Sequence, residues 1–334
     1  MKNLPELLER ALQVRASMLV SAAGEGALRL FAGFYEGCPQ LVVDLYARTL
    51  LLHGYSANPA EAQALLEEAQ AWLLEHLPQA GAAVNCVVHK VRAAAPALRR
   101  GRVAWGGPPD TSITENGVRY AVDLLLNRDA SFYLDTRSLR AWLLEQARDW
   151  QVLNTFAYTG SLGVAALAGG AAQVVQVDLN RNFLELARRS AALNRLDWSR
   201  QKLRAADFFS EVAHLKGTGA RFDSVIADPP FFSSTAKGAI NLENETARLV
   251  NKLRPLVKDG GRLVMVNNAL FLSGADYLRG LEPLQADGWL TIETLVPVPP
   301  DVTGFGSTGD APLPADPAPF NHSTKIIIFR VRSR

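Results

Sequence analysis

The sequence predicts an α/β protein: a doubly wound, mostly parallel Rossmann-like sheet with a smaller α+β domain ahead of it. Three observations carry that reading. From Val152 onward, short apolar runs alternate with stretches of helical period, as in successive βαβ units. The stretch VLNTFAYTGSLGVAALAGGAAQVVQVD, Val152 to Asp178, holds a whole unit. In it, a strand ends near Asn154 and leads through Tyr158, Thr159 and Gly160 to an Ala/Leu-rich helix closing on Gly169-Gly170, and a second strand ends at Asp178. Ahead of residue 110 the pattern changes to β-rich runs punctuated by Gly33, Gly37 and Pro39, with one long helix among them.

Composition bounds the class. The chain has 334 residues and 48% hydrophobic content, enough for two cores, and divides into domains expected at 1–110 and 111–334. No run approaches the roughly 18 apolar residues of a membrane span. The start, MKNLPELLER, has no apolar signal region, so a cytoplasmic protein with no membrane association is expected. Cys38 and Cys86 have no metal-ligand spacing and form no disulfide framework, so no metal is expected. A net charge of +2 does not by itself argue for a nucleic-acid partner.

In chain order, residues 1–19 read as an amphipathic helix with Leu7, Leu8, Ala11, Leu12 and Val14 on its apolar face. Gln40–Asp44 and Thr49–His53 read as a hairpin or meander. Asn58 caps a helix with Pro59 in its first turn, and Val84–Val91 is a strand. The segment from Lys90 to Arg102 gathers Lys90, Arg92, Arg99, Arg100 and Arg102 with no acid, reading as a solvated loop or a phosphate-contacting patch. After a Gly-Gly-Pro-Pro linker at 106–109, Val118–Asp123 is a strand, and Asp135 caps a helix over Thr136–Ala147. Beyond Asp178 come a helix over Arg181–Leu193, strands at Leu203–Ala206 and Phe222–Ala227, and a helix over Asn241–Val257. Then follow a strand at Leu263–Val266, a helix near Ala275–Gln285, a strand at Leu290–Val296, a Pro/Gly-rich loop over 297–320 and a last strand at Lys325–Val331.

Five polar residues fall at C-terminal strand ends: Asn154, Asp178, Asp207, Asp228 and Asn267. That is the edge at which open α/β sheets bind ligands. A carboxylate is costly at a crowded strand tip unless donors reach it, which favours a hydroxyl- and amine-rich ligand; capping the next helix is the plainer role for each acid. Asp178, about 20 residues past the loop, suits ribose hydroxyls. Asp207 with Phe208 suits an adenine. Asp228-Pro229-Pro230-Phe231-Phe232 is the most specific signal. Its prolines hold the chain rigid and leave carbonyls as acceptors, while an aromatic face stands ready for an unstacked base.

These stretches resemble a known family. LRLFAGFYEGCPQLVVDLY, ENGVRYAVDL, FYLDTRSLR, LNTFAYTGSLGVAALAGGA, VDLNRNFLELARRSAALN and DPPFFSS are similar to the class I S-adenosylmethionine-dependent methyltransferases. Within them the match is to the large-subunit ribosomal RNA methyltransferases of the RlmI/RlmK type, over residues 28 to 331. The resemblance implies a Rossmann-like methyltransferase domain, S-adenosyl-L-methionine as cofactor and ribosomal RNA as partner. By position it makes Asn154, Phe156, Tyr158 and Gly160 the cofactor loop, Asp178 the ribose acceptor and Asp207 with Phe208 the adenine side. Asp135 and Arg137 fall on a further cofactor segment, and Asp228, Pro229, Pro230 and Phe231 form the catalytic face.

The sequence also departs from that pattern. The family's Asp-Gln-Arg is Asp135-Thr136-Arg137 here. Its cytosine carbon-5 enzymes use cysteines near the Asp-Pro-Pro motif and after the next strand, where this chain has Val266-Asn267-Asn268-Ala269. With few residues ahead of Leu28, the RNA-binding domain that some members carry is not expected here. Without cysteines at the motif or after that strand, a covalent carbon-5 mechanism is not expected. Asn267-Asn268 resembles the guanine-methylating branch, so the resemblance implies direct transfer to a base nitrogen, guanine rather than cytosine carbon 5. Transfer to a protein or small molecule, or a non-catalytic cofactor-binding module, would reuse the same fold. A nicotinamide oxidoreductase is disfavoured because the loop lacks G-x-G-x-x-G.

Overall fold

The computed structural model describes residues 3–22, 24–93, 100–127, 129–243, 245–304 and 314–332. The chain forms two compact units, Met1–Leu134 with Pro299–Leu313, and Asp135–Val298 with Pro314–Arg334.

The first unit is built on a five-stranded sheet. Helices α1 (Leu4–Val14) and α2 (Ala16–Ala22) precede strands β1 (Ala27–Phe31), β2 (Leu41–Tyr46) and β3 (Thr49–Gly54). Helix α3 (Pro59–His76) crosses to β4 (Cys86–Val91), and β5 (Arg102–Gly106) closes the edge. The order β1-β2-β3-β4-β5 is antiparallel except between β3 and β4, the pair joined through α3. Alternate residues Leu28, Leu30, Val43, Leu45, Leu50 and Leu52 pack with Leu8 and Leu12 of α1 and Leu66 and Leu73 of α3. The α3 cap is the expected one: the Asn58 side chain accepts from the Ala60 amide at 3.0 Å, a contact worth about 1 kcal/mol.

The helix expected over 1–19 is instead two helices. Arg15 breaks it by turning inward, fully buried, to donate to the carbonyls of Ala11 and Asp301 and to pair with Glu36. Val14 is exposed rather than on the apolar face. The unit also runs past the expected boundary at 110. A hairpin of β6 (Ser112–Glu115) and β7 (Val118–Ala121) belongs to it. So does the following segment, because the buried Lys90 ammonium donates to the carbonyls of Leu126, Asn127 and Asp129. Lys90 is thus no part of a phosphate patch. Arg92 is likewise engaged, with Asp129 at 3.0 Å and over the Tyr55 ring. Arg100 and Arg102 are exposed, and Arg99 lies outside the described residues.

The second unit begins with α4 (Arg137–Gln146) and then alternates: β8 (Gln151–Thr155), α5 (Ser161–Ala168), β9 (Gln173–Asp178), α6 (Arg181–Leu193), β10 (Gln201–Ala205), α7 (Phe208–Gly217) and β11 (Phe222–Ala227). A hairpin of β12 (Phe232–Thr235) and β13 (Gly238–Asn241) follows. Then come α8 (Thr246–Leu253), β14 (Val257–Asn267), α9 (Gly274–Arg279), α10 (Glu282–Ala286) and β15 (Leu290–Val296). The chain returns to the first unit with α11 (Pro300–Thr303), where the Asp301 side chain accepts from the Arg29 amide at 3.0 Å. It re-enters the second unit for β16 (Lys325–Val331).

The sheet order is β10-β9-β8-β11-β14-β16-β15, parallel as far as β14, with β16 antiparallel to both its neighbours. This is the doubly wound sheet the sequence predicts. Strand alternation divides the core in two. Val152, Val174, Ile226 and Val264 pack with Leu139 and Leu143 of α4 and Leu162 and Ala166 of α5. Their neighbours in the strands, Leu153, Val175, Val225 and Leu263, pack on the other face with Val212 of α7, Leu249 and Leu253 of α8 and Tyr277 of α9.

Two local expectations change. The helix expected over Asn241–Val257 is only α8: Pro255 has no amide to continue the helical ladder, Arg254–Leu256 tightens into a single 3-10 turn, and Val257 starts β14. The helix near Ala275–Gln285 is two short helices, α9 and α10, with Gly280 capping the first and Pro283 starting the second. Among the described residues no helix is long and apolar enough to cross a membrane.

Candidate functional site at the carboxyl edge of the sheet

The parallel strands of the second unit end on one edge, and the loop after β8 is its most constrained part. Phe156, Tyr158 and Gly160 all have positive φ, at 55°, 52° and 75°. For the two non-glycine residues that conformation costs about 1–3 kcal/mol each and persists only where the surroundings impose it. Here the Ala157 amide donates to the Val177 carbonyl at 2.8 Å, and the Tyr158 amide to the Asp178 carboxylate at 2.8 Å. The Tyr158 ring meets Phe183 of α6 edge-on at 4.7 Å. Gly160 has no alternative: a Cβ there would lie 2.4 Å from the Ala187 Cβ and 2.7 Å from the Gln176 Oε1.

Asp178 ends β9 as expected. One oxygen accepts from Tyr158, the other from the Asn180 amide at 2.8 Å. Burial nevertheless holds its pKa above the ordinary carboxylate value, with those two amides pulling the other way. Each oxygen keeps acceptor capacity, so a pair of ligand hydroxyls would complete it. Asp207 caps α7, accepting from the Ser210 amide at 3.1 Å. Burial raises its pKa, but hydrogen bonds from Ser210, Thr235 and Phe209 outweigh that and hold it below the ordinary range. Phe208 is buried, tilted against Phe156 at 4.4 Å and edge-on to Phe209 at 5.1 Å, so it builds the wall behind this edge.

Two of the five strand-end residues face inward. Asn154 is buried and donates to Gln176, its register partner on β9, at 3.1 Å. Its Oδ1 and the Gln176 Nε2 have no hydrogen-bond partner among the described residues. Asn267 is also buried, donating to the Leu242 carbonyl at 3.0 Å and the Thr246 hydroxyl at 3.3 Å, and accepting from the Ala269 amide at 2.9 Å. Its neighbour Asn268 is half-buried, with an Oδ1 that no donor among the described residues reaches.

Asp228 follows β11 immediately and has a different environment. No donor from the described residues reaches its carboxylate. Burial, and then the charge of Asp135, push its pKa up to about 7. Asp135 does not cap α4. Thr136 holds the cap position, and the Asp135 carboxylate accepts from the Thr324 hydroxyl at 2.9 Å. Arg137 starts α4, half-buried. Pro229 is buried and Pro230 exposed, and the next two residues carry large exposed rings: Phe231 at 42% and Phe232 at 63% of full accessibility. Leu270 and Phe271, after the tip of neighbouring β14, are exposed as well.

Sequence reasoning missed Gln176, Phe183, Thr324 and the β12–β13 hairpin. The first three act from mid-strand, a helix or a distant segment, and no local pattern marks them. The hairpin had a signal, the β-branched Thr235 and Ile240 flanking Gly238, which the Asp-Pro-Pro-Phe motif overshadowed. Among the described residues no group of three or more His, Cys, Asp or Glu side chains could hold a metal ion.

A cofactor with an adenosine moiety fits the residues present. Asp178 offers unsatisfied acceptor capacity without a cation partner, Asp207 stands beside the aromatic pair Phe156 and Phe208, and the strained loop lies between the two strands. A profile of the family described as S-adenosylmethionine-dependent methyltransferase matches residues 31–304. Ribosomal RNA large subunit methyltransferase I of Aliivibrio fischeri is 32% identical over 230 residues, 67% of this chain and 56% of that protein. Ribosomal RNA large subunit methyltransferase K of Neisseria meningitidis serogroup B is 34% identical over 208 residues, 60% of this chain and 59% of that one. The chain thus spans little more than half the length of these curated relatives. In fold it is similar to a provisionally assigned methyltransferase solved with SAH, at a TM-score of 0.84 and 21% identity over 98% of this chain and 80% of that one. It is also similar to a SAM-dependent methyltransferase from Agrobacterium tumefaciens, at a TM-score of 0.64 and 15% identity over 94% of this chain and 92% of that one.

Proposed function

The chain belongs to the S-adenosylmethionine-dependent methyltransferase family, and from that premise we propose that it methylates a base nitrogen, that of a guanine, in large-subunit ribosomal RNA. Asp178 would hold the cofactor's ribose hydroxyls, Asp207 its adenine amine, and the Phe156–Gly160 loop its remaining length, with Asp135 and Arg137 on the flank. When bound, the cofactor supplies an electrophilic methyl group. A guanine N1 or exocyclic N2 that takes the methyl must lose a proton, and we assign the receipt of that proton to Asp228. Its pKa of about 7 puts the carboxylate near the optimum for general base work at neutral pH. Pro229 and Pro230 fix the main chain beside it, and Phe231 offers the target base a flat face.

The observation that carries this reading is Asp228 itself: a donor-free, partly desolvated carboxylate at a strand tip, next to a rigid Pro-Pro and an exposed ring. The carbon-5 alternative needs a thiolate nucleophile. Both cysteines belong to the first unit, and burial holds each thiol above its ordinary pKa, which suppresses the thiolate. The test is nucleoside mass spectrometry of ribosomal RNA treated with the protein and labelled cofactor. A labelled N-methylguanosine is expected. Label in 5-methylcytidine would overturn the nitrogen assignment, and label only in protein or small molecules would overturn the RNA assignment.

A further inference from the structure

A second feature of the same unit is unused by that chemistry. The hairpin following Asp-Pro-Pro-Phe is pinned at its turn: Thr235 donates to Asp207, and Gly238 sits so close to the Phe209 ring that a Cβ would lie 2.8 Å from it. Behind β13, between α7 and α8, this leaves a shallow surface hollow that opens to solvent. Its floor is apolar, from Phe209, Ile240 and Leu249, and its rim carries Glu245, Arg248 and Lys252. Glu245 and Arg248 neutralise each other at 2.8 Å. Lys252 has no acid partner among the described residues and stands over the Phe209 ring at 5.4 Å. Lys216 of α7, also without an acid partner among the described residues, lies near enough to Lys252 for their charges to repel; burial and that charge lower its pKa. Two ammonium groups whose charges repel, one on the rim of an apolar floor and neither with an acid partner among the described residues, favour an anion with an apolar portion.

We propose that this hollow is a second RNA subsite, seating a nucleotide next to the target base, with its phosphates on Lys216 and Lys252 and its sugar and base edge against Ile240 and Leu249. Continuity supports the assignment to the same strand. Residues 239–241 of the hollow's wall follow Phe231 within one hairpin, so a strand whose target base meets Phe231 can pass along β13. The subsite rests on the RNA reading above and makes the enzyme a reader of unpaired RNA. A strand following this surface has to be free of its complement.

The test measures binding of a labelled short single-stranded RNA across a salt series, for the wild-type protein and Lys216→Gln/Lys252→Gln, with SAH titration of each. Loss of two phosphate contacts should make the slope of log Kd against log salt shallower by roughly 1.4, about 0.7 per contact, with SAH affinity unchanged. Lys216→Arg/Lys252→Arg should keep the wild-type slope. A Gln variant with wild-type slope and affinity would overturn the subsite while leaving the RNA reading standing. Wild-type protein that binds no RNA would overturn both.

Discussion

Asp178 and Asp228 stand at the ends of two strands of one sheet, and burial raises the pKa of both. What surrounds them differs. Asp178 is held by two main-chain amides at 2.8 Å, which tie it to the loop it faces and keep it in one position. Asp228 has no such donors and has Asp135 as its charged neighbour, so its proton is easily gained and lost near neutrality. One sheet edge thus carries a fixed acceptor suited to binding and a titrating acid suited to chemistry, and hydrogen bonding rather than burial separates them.

The largest effect expected from breaking that contrast is at Asp228. Asp228→Asn keeps the shape and removes the base, so turnover should fall by about 10²–10⁴-fold while calorimetric SAH affinity stays near wild type. It should also stabilise the protein at neutral pH. Protonation of Asp228 favours the fold fully below its unfolded pKa of about 3.9, and that contribution is lost as pH rises through about 7. A higher melting temperature for the variant at neutral pH, with the gap closing in acid, is the expected pattern.

Asp178→Ala should do the reverse. SAH affinity should weaken by about 1–3 kcal/mol, since a charged acceptor is lost together with the anchor of the Tyr158 amide. Single-turnover transfer at saturating cofactor should be less affected, and equal losses in binding and turnover would show that the two acids do not divide the work. A smaller effect is expected at Phe231→Ala: a rise in apparent KM for RNA equivalent to one stacking contact, about 1–3 kcal/mol, with Phe231→Tyr close to wild type.

Much of this edge was legible in the sequence because strand tips are marked locally. Asp178 and Asp228 end apolar runs that admit only strands, and Pro229-Pro230 excludes any continuation of the sheet. The β9, α6, β11, β15 and β16 spans follow from the same logic. What the sequence hides is where a side chain points once its strand is paired. Asn154 and Asn267 occupy tip positions like Asp178, yet both turn inward, one to Gln176 across the β8–β9 pair and the other to the segment leading into α8. Asp135 looked like a cap because its partner, Thr324, lies far along the chain. The first unit's extent was hidden for a similar reason: Lys90 reads as one charge in a basic run, whereas its three carbonyl partners come from residues 126–129.

The most direct measurement is the pH dependence of single-turnover methyl transfer at saturating cofactor, for the wild-type protein and Asp135→Asn. With Asp228 as the base, the wild-type rate should rise with pH through a midpoint near 7 and then level off. Removing the Asp135 charge should lower that midpoint, because a like charge holds the Asp228 pKa up. A rate independent of pH through this range, or a midpoint that Asp135→Asn leaves in place, would contradict a titrating Asp228 at the centre of the reaction.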